Sequence, residues 1–281
     1  MKLIKKIIRF IMRREEYYPN RYILLYYILK EIQKIMIKII PGKRKSFLKN
    51  DMFNWSLYHI HYKGELLVVG KNSTIDLQSN DYHFENNKLI KNNKTIKPLH
   101  PNHQLLYETI IQLHPTSIFE MGCGTGMHLN NLQTLLPSAN LYGMDVSEKQ
   151  IIQLRKNYPF LNASIKVADA TTRFPKNFLP KSDLAFTQAV IMHIHTGEKH
   201  LTALANLFNS AKHHVILMES CKNHPMMENI KNLFSKKEIN WGKINFYYKI
   251  LKIKGNPACI ICSNQTLDYP VLKDYNFLLN R

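Results

Sequence analysis

Ile118-Phe119-Glu120-Met121-Gly122-Cys123-Gly124-Thr125-Gly126-Met127 is a short apolar run that closes on an acid and then on glycine at every second position. The apolar part predicts a buried strand. The glycines predict a tight turn into a helix, because a residue without Cβ takes φ values closed to other residues. Glycine here also lets a ligand approach the backbone amides. A second acid, Asp145, ends the next apolar run, 19 residues beyond Gly126. Rossmann-like folds set a carboxylate against ribose hydroxyls at about that interval. A dinucleotide fingerprint G-x-G-x-x-G counted from Gly122 requires glycine at position 127, where this chain has methionine.

Outward from this stretch, β and α patterns alternate from about residue 103. Strands are expected at Ser117–Met121, Asn140–Met144, Ser164–Ala168, Asp183–Gln188 and His214–Glu219, each short and apolar, as strands covered on both faces are. Ser147 with Gln150 three residues on makes a capping box ahead of Ile151, Ile152 and Leu154, and Thr196 is expected to cap a helix running to Lys212. Phe246–Leu251 and Ala258–Ser263 flank Lys254-Gly255-Asn256-Pro257 and read as a hairpin. The expected fold class is α/β: a Rossmann-like, doubly wound, seven-stranded sheet, parallel except for the antiparallel hairpin of its last strands.

Before this domain, which spans residues 103–281, two further regions are expected. Residues 51–102 form a small β-rich accessory or cap region, with a strand at Glu65–Gly70 and turns at Asn86-Asn87 and Asn92-Asn93. Residues 1–50 form a basic, amphipathic helical appendage. Lys2, Arg9 and Arg13 recur at helical spacing against Ile4, Ile7, Ile8 and Ile11, and Lys30, Lys34 and Lys38 form one stripe that Pro41 and Gly42 end. Two readings of the appendage stand: a helical cap packed on the core with a solvated lysine face, or attachment through residues 1–45 to an anionic membrane surface.

Charge follows the same division. The 281 residues carry a formal +19, but residues 1–50 hold 14 basic and 3 acidic side chains, a net +11, and the remaining 231 hold 25 and 17, a net +8. A uniformly basic nucleic-acid coat is not distributed this way. A hydrophobic share of 45% and an aromatic share of 11% exclude intrinsic disorder. Four cysteines make no disulfide scaffold. Charged residues interrupt every stretch approaching the roughly 20 apolar residues of a membrane span. A cytoplasmic location is expected, peripheral on the inner membrane face if the appendage binds lipid.

With Glu120, the glycines complete an E-x-G-x-G-x-G pattern, and over residues 103–263 the sequence resembles class I S-adenosylmethionine-dependent methyltransferases. The resemblance implies S-adenosyl-L-methionine as cofactor. It implies that Glu120, Gly122, Gly124 and Gly126 hold its amino-acid half, and that Asp145 binds the ribose hydroxyls. Asp169, within Val167-Ala168-Asp169-Ala170, lies at the adenine amine with Ala170 beside it, and Gln188 and Ala189 end the strand nearest the cofactor.

The sulfonium is already activated, so catalysis is mainly alignment of the acceptor, with a base if the acceptor is a hydroxyl. Candidate bases are His193 and His195 after the fourth strand, and Glu219 at the end of the fifth, all at the carboxyl edge where open α/β sheets bind ligands. His193 has a second reading, in which it packs against the cofactor loop and only shapes the pocket, and Glu219 a second reading as a pocket residue. Thr187-Gln188-Ala189-Val190 stands where N-methylating relatives resemble N-P-P-Y, which favours O-methylation of a sugar, a glycan or another small hydroxylated metabolite. The alternatives are an RNA methyltransferase, for which the total charge speaks and its distribution does not, and a non-catalytic cofactor-binding scaffold. Cys221-x-x-His224 and Cys259-x-x-Cys262 look like halves of a zinc site. The second pair falls within one expected strand, where residues three apart face opposite ways, so these cysteines read as small buried hydrophobes and no metal is expected. Trp241, Phe246, Tyr247 and Tyr248 have two readings, a lid or sugar-stacking surface and edge-strand packing, of which packing is favoured.

Overall fold

The computed structural model describes residues 76–194, 197–220, 223–251 and 258–279, with the backbone of 48–49 and 52–53. All of the expected helical appendage of residues 1–50 except the backbone of 48–49, the strand at Glu65–Gly70, the expected cap Thr196, Cys221 and His195 lie outside the described residues. The chain divides into two compact units, Met1–Thr74 and Ile75–Arg281. In the first, β1 (Leu48–Lys49) pairs antiparallel with β2 (Met52–Phe53).

The second unit opens with a hairpin, β3 (Tyr82–Glu85) and β4 (Lys88–Lys91), turning at Asn86 and Asn87, whose φ values of 48° and 62° belong to the left-handed region asparagine tolerates. Helix α1 (Pro101–Gln112) follows and starts on proline, whose missing N–H costs nothing there. The main sheet has the order β10-β11-β9-β8-β5-β6-β7. Its strands are β5 (Ser117–Met121), β6 (Asn140–Asp145), β7 (Ala163–Val167), β8 (Ser182–Gln188), β9 (Ala211–Glu219), β10 (Asn245–Lys249) and β11 (Ala258–Ser263). The first five pair parallel, and β11 runs antiparallel between β9 and β10. The seven expected strands are therefore all present, within a few residues at their ends.

Successive strand residues point to opposite faces. On β9, Val215 and Leu217 join one buried cluster with the helices α4 (Lys199–Asn209) and α5 (Met226–Ser235). Ile216 and Met218 join the other, with α1, α2 (Met127–Leu135) and α3 (Glu148–Asn157). Cys259 and Cys262 divide the same way, one in each cluster, as strand geometry requires of residues three apart. A last short helix, α6 (Asn276–Leu279), closes the chain.

Two local expectations are corrected. Ser147 does cap α3, its hydroxyl accepting from the Gln150 amide at 3.4 Å, but the Gln150 side chain turns toward the glycine loop, its Oε1 lying 3.1 Å from where a Cβ on Gly124 would be. The helix expected to run to Lys212 starts at Lys199, after Glu198, and ends at Asn209, because Ala211 onward joins the sheet. The described residues contain no helix long and apolar enough to cross a membrane.

Candidate active site

The site lies where β5, β6 and β8 end. Gly122 and Gly126 have φ of 78° and 87°, and a Cβ on them would come within 2.4 Å of Val190 Cγ2 and 2.5 Å of Leu154 Cγ respectively. These glycines are demanded by the chain's own packing. The amides of the loop are also mostly engaged internally. Gly122 and Cys123 donate to the Met144 carbonyl at 2.7 and 2.9 Å, Gly126 to Cys123 at 2.9 Å, and Gly124 to Asp145 Oδ2 at 3.0 Å. The loop is thus stitched across β5 to the end of β6.

Glu120 is 2% exposed, and its Oε2 is buried with no hydrogen-bond partner among the described residues. Burial, and after it the Asp145 charge, push its carboxyl well above the ordinary range. Asp145 is also raised by burial, against the opposing pull of the Ser147 and Gly124 amides. Its Oδ1 accepts from the Ser147 amide at 2.8 Å. Each Asp145 oxygen therefore carries one donor and retains a lone-pair site for a hydroxyl. Neither acid belongs to an ion pair among the described residues. Two carboxylates in a water-poor pocket, one of them orphaned, fit a ligand that brings positive charge and donors. S-adenosylmethionine, with its ammonium and sulfonium, is such a ligand. Burial and the same two acids push the Cys123 thiol up, which makes it a poor nucleophile.

Asp169 sits past the end of β7, its Oδ1 accepting from the Thr171 amide and hydroxyl at 2.8 and 2.7 Å, with Ala170 buried beside it. Gln188 ends β8 with a buried Oε1 that has no partner. Ala189, at φ 54°, then turns the chain into a single 3₁₀ turn, Ile191–His193, which carries half-buried His193.

Glu219 holds that turn. It is 1% exposed, and its carboxylate accepts from Thr187 Oγ1 (3.0 Å) and from the amides of Val190 (2.9 Å), Ile191 (3.2 Å) and Met192 (3.1 Å). Both oxygens are engaged. Acting as the expected base, Glu219 would have to give up these bonds. Asn223 adds a tie from the loop after β9, donating to the Met192 carbonyl at 2.8 Å. His224, read above as half of a metal pair, stacks instead on His200, with ring centroids 4.2 Å apart and planes 11° from parallel.

Sequence reading missed a brace behind the glycine loop. Tyr107 of α1, fully buried, bonds His128 Nδ1 of α2 at 2.8 Å and accepts from Asn131 at 3.0 Å, while His103 packs edge-on against His128. Burial, with His103 second, keeps His128 neutral. Only the spacing of His103 and Tyr107 on one helical face hinted at it. At the opposite end of β8, Asp183 accepts from Thr116 and Lys212; burial pushes its carboxyl up, but these partners outweigh it and hold it below the usual range. The expected aromatic packing is present: Trp241 is buried and donates to the Ala211 carbonyl at 3.0 Å.

Residues 118–214 match the family model described as "Methyltransferase domain". With the sheet order and its reversed terminal hairpin, this makes residues 118–214 the heart of a class I S-adenosylmethionine-dependent methyltransferase domain. The chain therefore carries an S-adenosylmethionine-dependent methyltransferase domain. Solved structures similar to it include the plantazolicin methyltransferase BpumL in complex with a monoazolic desmethylPZN analogue and SAH (13% identity, TM-score 0.43, 59% of this chain and 82% of that one). Magnesium protoporphyrin IX methyltransferase ChlM from Synechocystis PCC 6803 is another (14%, 0.42, 58% and 80%). A third is CalS10, an amino pentose methyltransferase from Micromonospora echinaspora (17%, 0.37, 43% and 50%). No curated protein matches the chain.

Proposed function

We propose that the protein methylates a hydroxyl of a sugar, a glycan or another small hydroxylated metabolite. One observation carries this reading: β8 leads through Gln188 into a pinned turn that carries a half-buried histidine at the ligand edge, with no amino-methylation motif before it. When bound, the cofactor supplies an electrophilic methyl group on a sulfonium. Glu120 takes the ammonium of its amino-acid half, beside the turn of Gly122, Gly124 and Gly126. Asp145 takes the ribose hydroxyls. Asp169, beside Ala170, takes the adenine amine through Oδ2, which makes no hydrogen bond among the described residues. Gln188 offers its unpartnered carbonyl to the ligand side.

His193, the nearest titratable side chain on the turn, is the group assigned to accept the hydroxyl proton, with His195 as the second candidate. Glu219 acts through this turn as a positioning residue, since its lone pairs serve the amides that fix where His193 stands.

The test uses purified full-length protein with labelled cofactor, offered sugar nucleotides, a glycan extract and RNA in parallel. Label in the sugar fractions supports the reading. Label in RNA alone replaces it with the RNA reading, for which +19 is the favouring observation. For the amino-terminal residues, the reading is attachment to an anionic membrane face. Sedimentation with anionic vesicles, compared between the full chain and a chain lacking residues 1–40, tests it, and equal binding by both removes it.

A further inference from the structure

A cavity of about 480 Å³ lies between α1 and the carboxyl end of β10. Leu105, Tyr248, Ile250 and Tyr269 give it apolar and aromatic walls, and Lys88 and Lys249 bring ammonium groups to it. Small-molecule sites have this make-up, with volumes of about 300–1,000 Å³ and a few polar groups in an apolar wall. Helix α1 separates it from the glycine loop. Gln104, Leu105 and Glu108 line the cavity, whereas His103 and Tyr107, a third of a turn away, meet His128 of α2 with ring centroids 4.8 and 5.6 Å apart.

The charges in the wall do not cancel. Glu108, 2% exposed, is engaged at both oxygens: it accepts from Lys88 Nζ (3.2 Å), the Leu89 amide (3.0 Å) and Gln104 Nε2 (2.8 Å). Lys249 has no carboxylate within ion-pair distance among the described residues, and the Glu108 charge reaches it only from farther off. Its ammonium donates to Gln112 Oε1 at 3.1 Å, an oxygen that also takes the Tyr269 hydroxyl at 2.7 Å, and it stands 5.5 Å from the centre of the Tyr269 ring. It belongs to none of the ion pairs among the described residues. Burial lowers its pKa. A half-buried ammonium held by a neutral amide oxygen and a ring face lacks the close counter-ion that normally offsets its lost hydration. An anionic group in the cavity would supply it, and the tyrosines and aliphatic side chains would cover an apolar body attached to that anion.

We propose that this cavity is a second ligand site, separate from the cofactor site, for a small organic anion with an aromatic or aliphatic body. The carboxylate or phosphate of the ligand pairs with Lys249. The site does not depend on which acceptor is methylated.

Calorimetry on the full chain, with S-adenosylhomocysteine present at saturation, tests it with phenylacetate, phenyl phosphate and neutral phenethyl alcohol. At least one anion should bind about tenfold tighter than the alcohol; which anion it is distinguishes a carboxylate from a phosphate ligand. Lys249→Met should erase that advantage while S-adenosylhomocysteine affinity stays within about twofold. If the variant melts abnormally, Ile250→Trp, which fills the cavity from its half-buried rim, should abolish anion binding instead. Equal binding of anion and alcohol, binding unchanged in the variant that folds, competition with S-adenosylhomocysteine, or no binding by any of the three overturns the proposal.

Discussion

At the scale of single residues, the site turns on two carboxylates whose environments differ. Glu120 has an unpartnered Oε2 among the described residues, and burial, with Asp145 second, pushes its carboxyl well above the ordinary range. A cationic ligand needs it ionised, so cofactor binding should release a proton. Cofactor affinity is expected to rise with pH, by up to about tenfold per unit, until the free protein's Glu120 has itself ionised. Glu120→Gln should bind weakly and without that slope; calorimetry across pH in two buffers of different ionisation enthalpy reads both. The linkage to folding has the opposite sign. The folded state holds this proton longer than the unfolded chain, so stability of the cofactor-free protein should fall as pH rises from the usual glutamate value toward the raised one. Glu219 is the contrasting case, equally buried but surrounded by donors. Glu219→Gln turns one acceptor into a donor facing amides, with an expected cost of about 1–3 kcal/mol in unfolding experiments. Activity should drop at every pH. A general base would instead remove one limb of the pH profile.

At the scale of elements, the glycine loop works as a joint between α2, α3 and β8. A Cβ on Gly126 would meet Leu154 of α3 at 2.5 Å while forcing a non-glycine residue to φ 87°. Gly126→Ala should therefore lower the thermal midpoint, with a cost of about 1–3 kcal/mol. Adding Leu154→Ala should relieve the clash and leave the backbone strain, so the double variant should be less destabilised than the two single effects combined; denaturant unfolding of all four proteins measures the coupling. The loop's glycine spacing and both acids were legible in the sequence, because a buried strand, a tight turn and a second strand end leave short local signatures. The bonds that occupy the loop's amides were not, since the Met144 carbonyl and Asp145 come from another strand. The early end of α4 has a similar cause: the helical pattern runs on to Lys212, but Ala211 onward is claimed by pairing with β8 and β11.

At the scale of the whole molecule, charge and chemistry separate along the sequence. The net +11 of residues 1–50 lies outside the unit that holds the sheet and the site, while the other 231 residues carry +8. Turnover of a small acceptor should accordingly change little between low and physiological salt. An RNA acceptor should lose affinity steeply over the same range, as counterion release requires, and initial rates at two salt concentrations separate the cases.

The sequence by itself determined the order and type of the elements, the seven strands, the cofactor class through E-x-G-x-G-x-G with Asp145, and the sorting of Cys259 and Cys262 to opposite faces. Periodicity and local backbone demands fix these at short range. Only the tertiary structure decided what Glu219, Gly122 and Gly126 are for, how Tyr107 and His128 brace the loop, and that Lys249 borders a cavity with no carboxylate at ion-pair distance among the described residues. Those properties depend on which donors, acceptors and side chains arrive from elements 20 to 150 residues away, and a hydrogen bond or an uncompensated charge exists only once they have met.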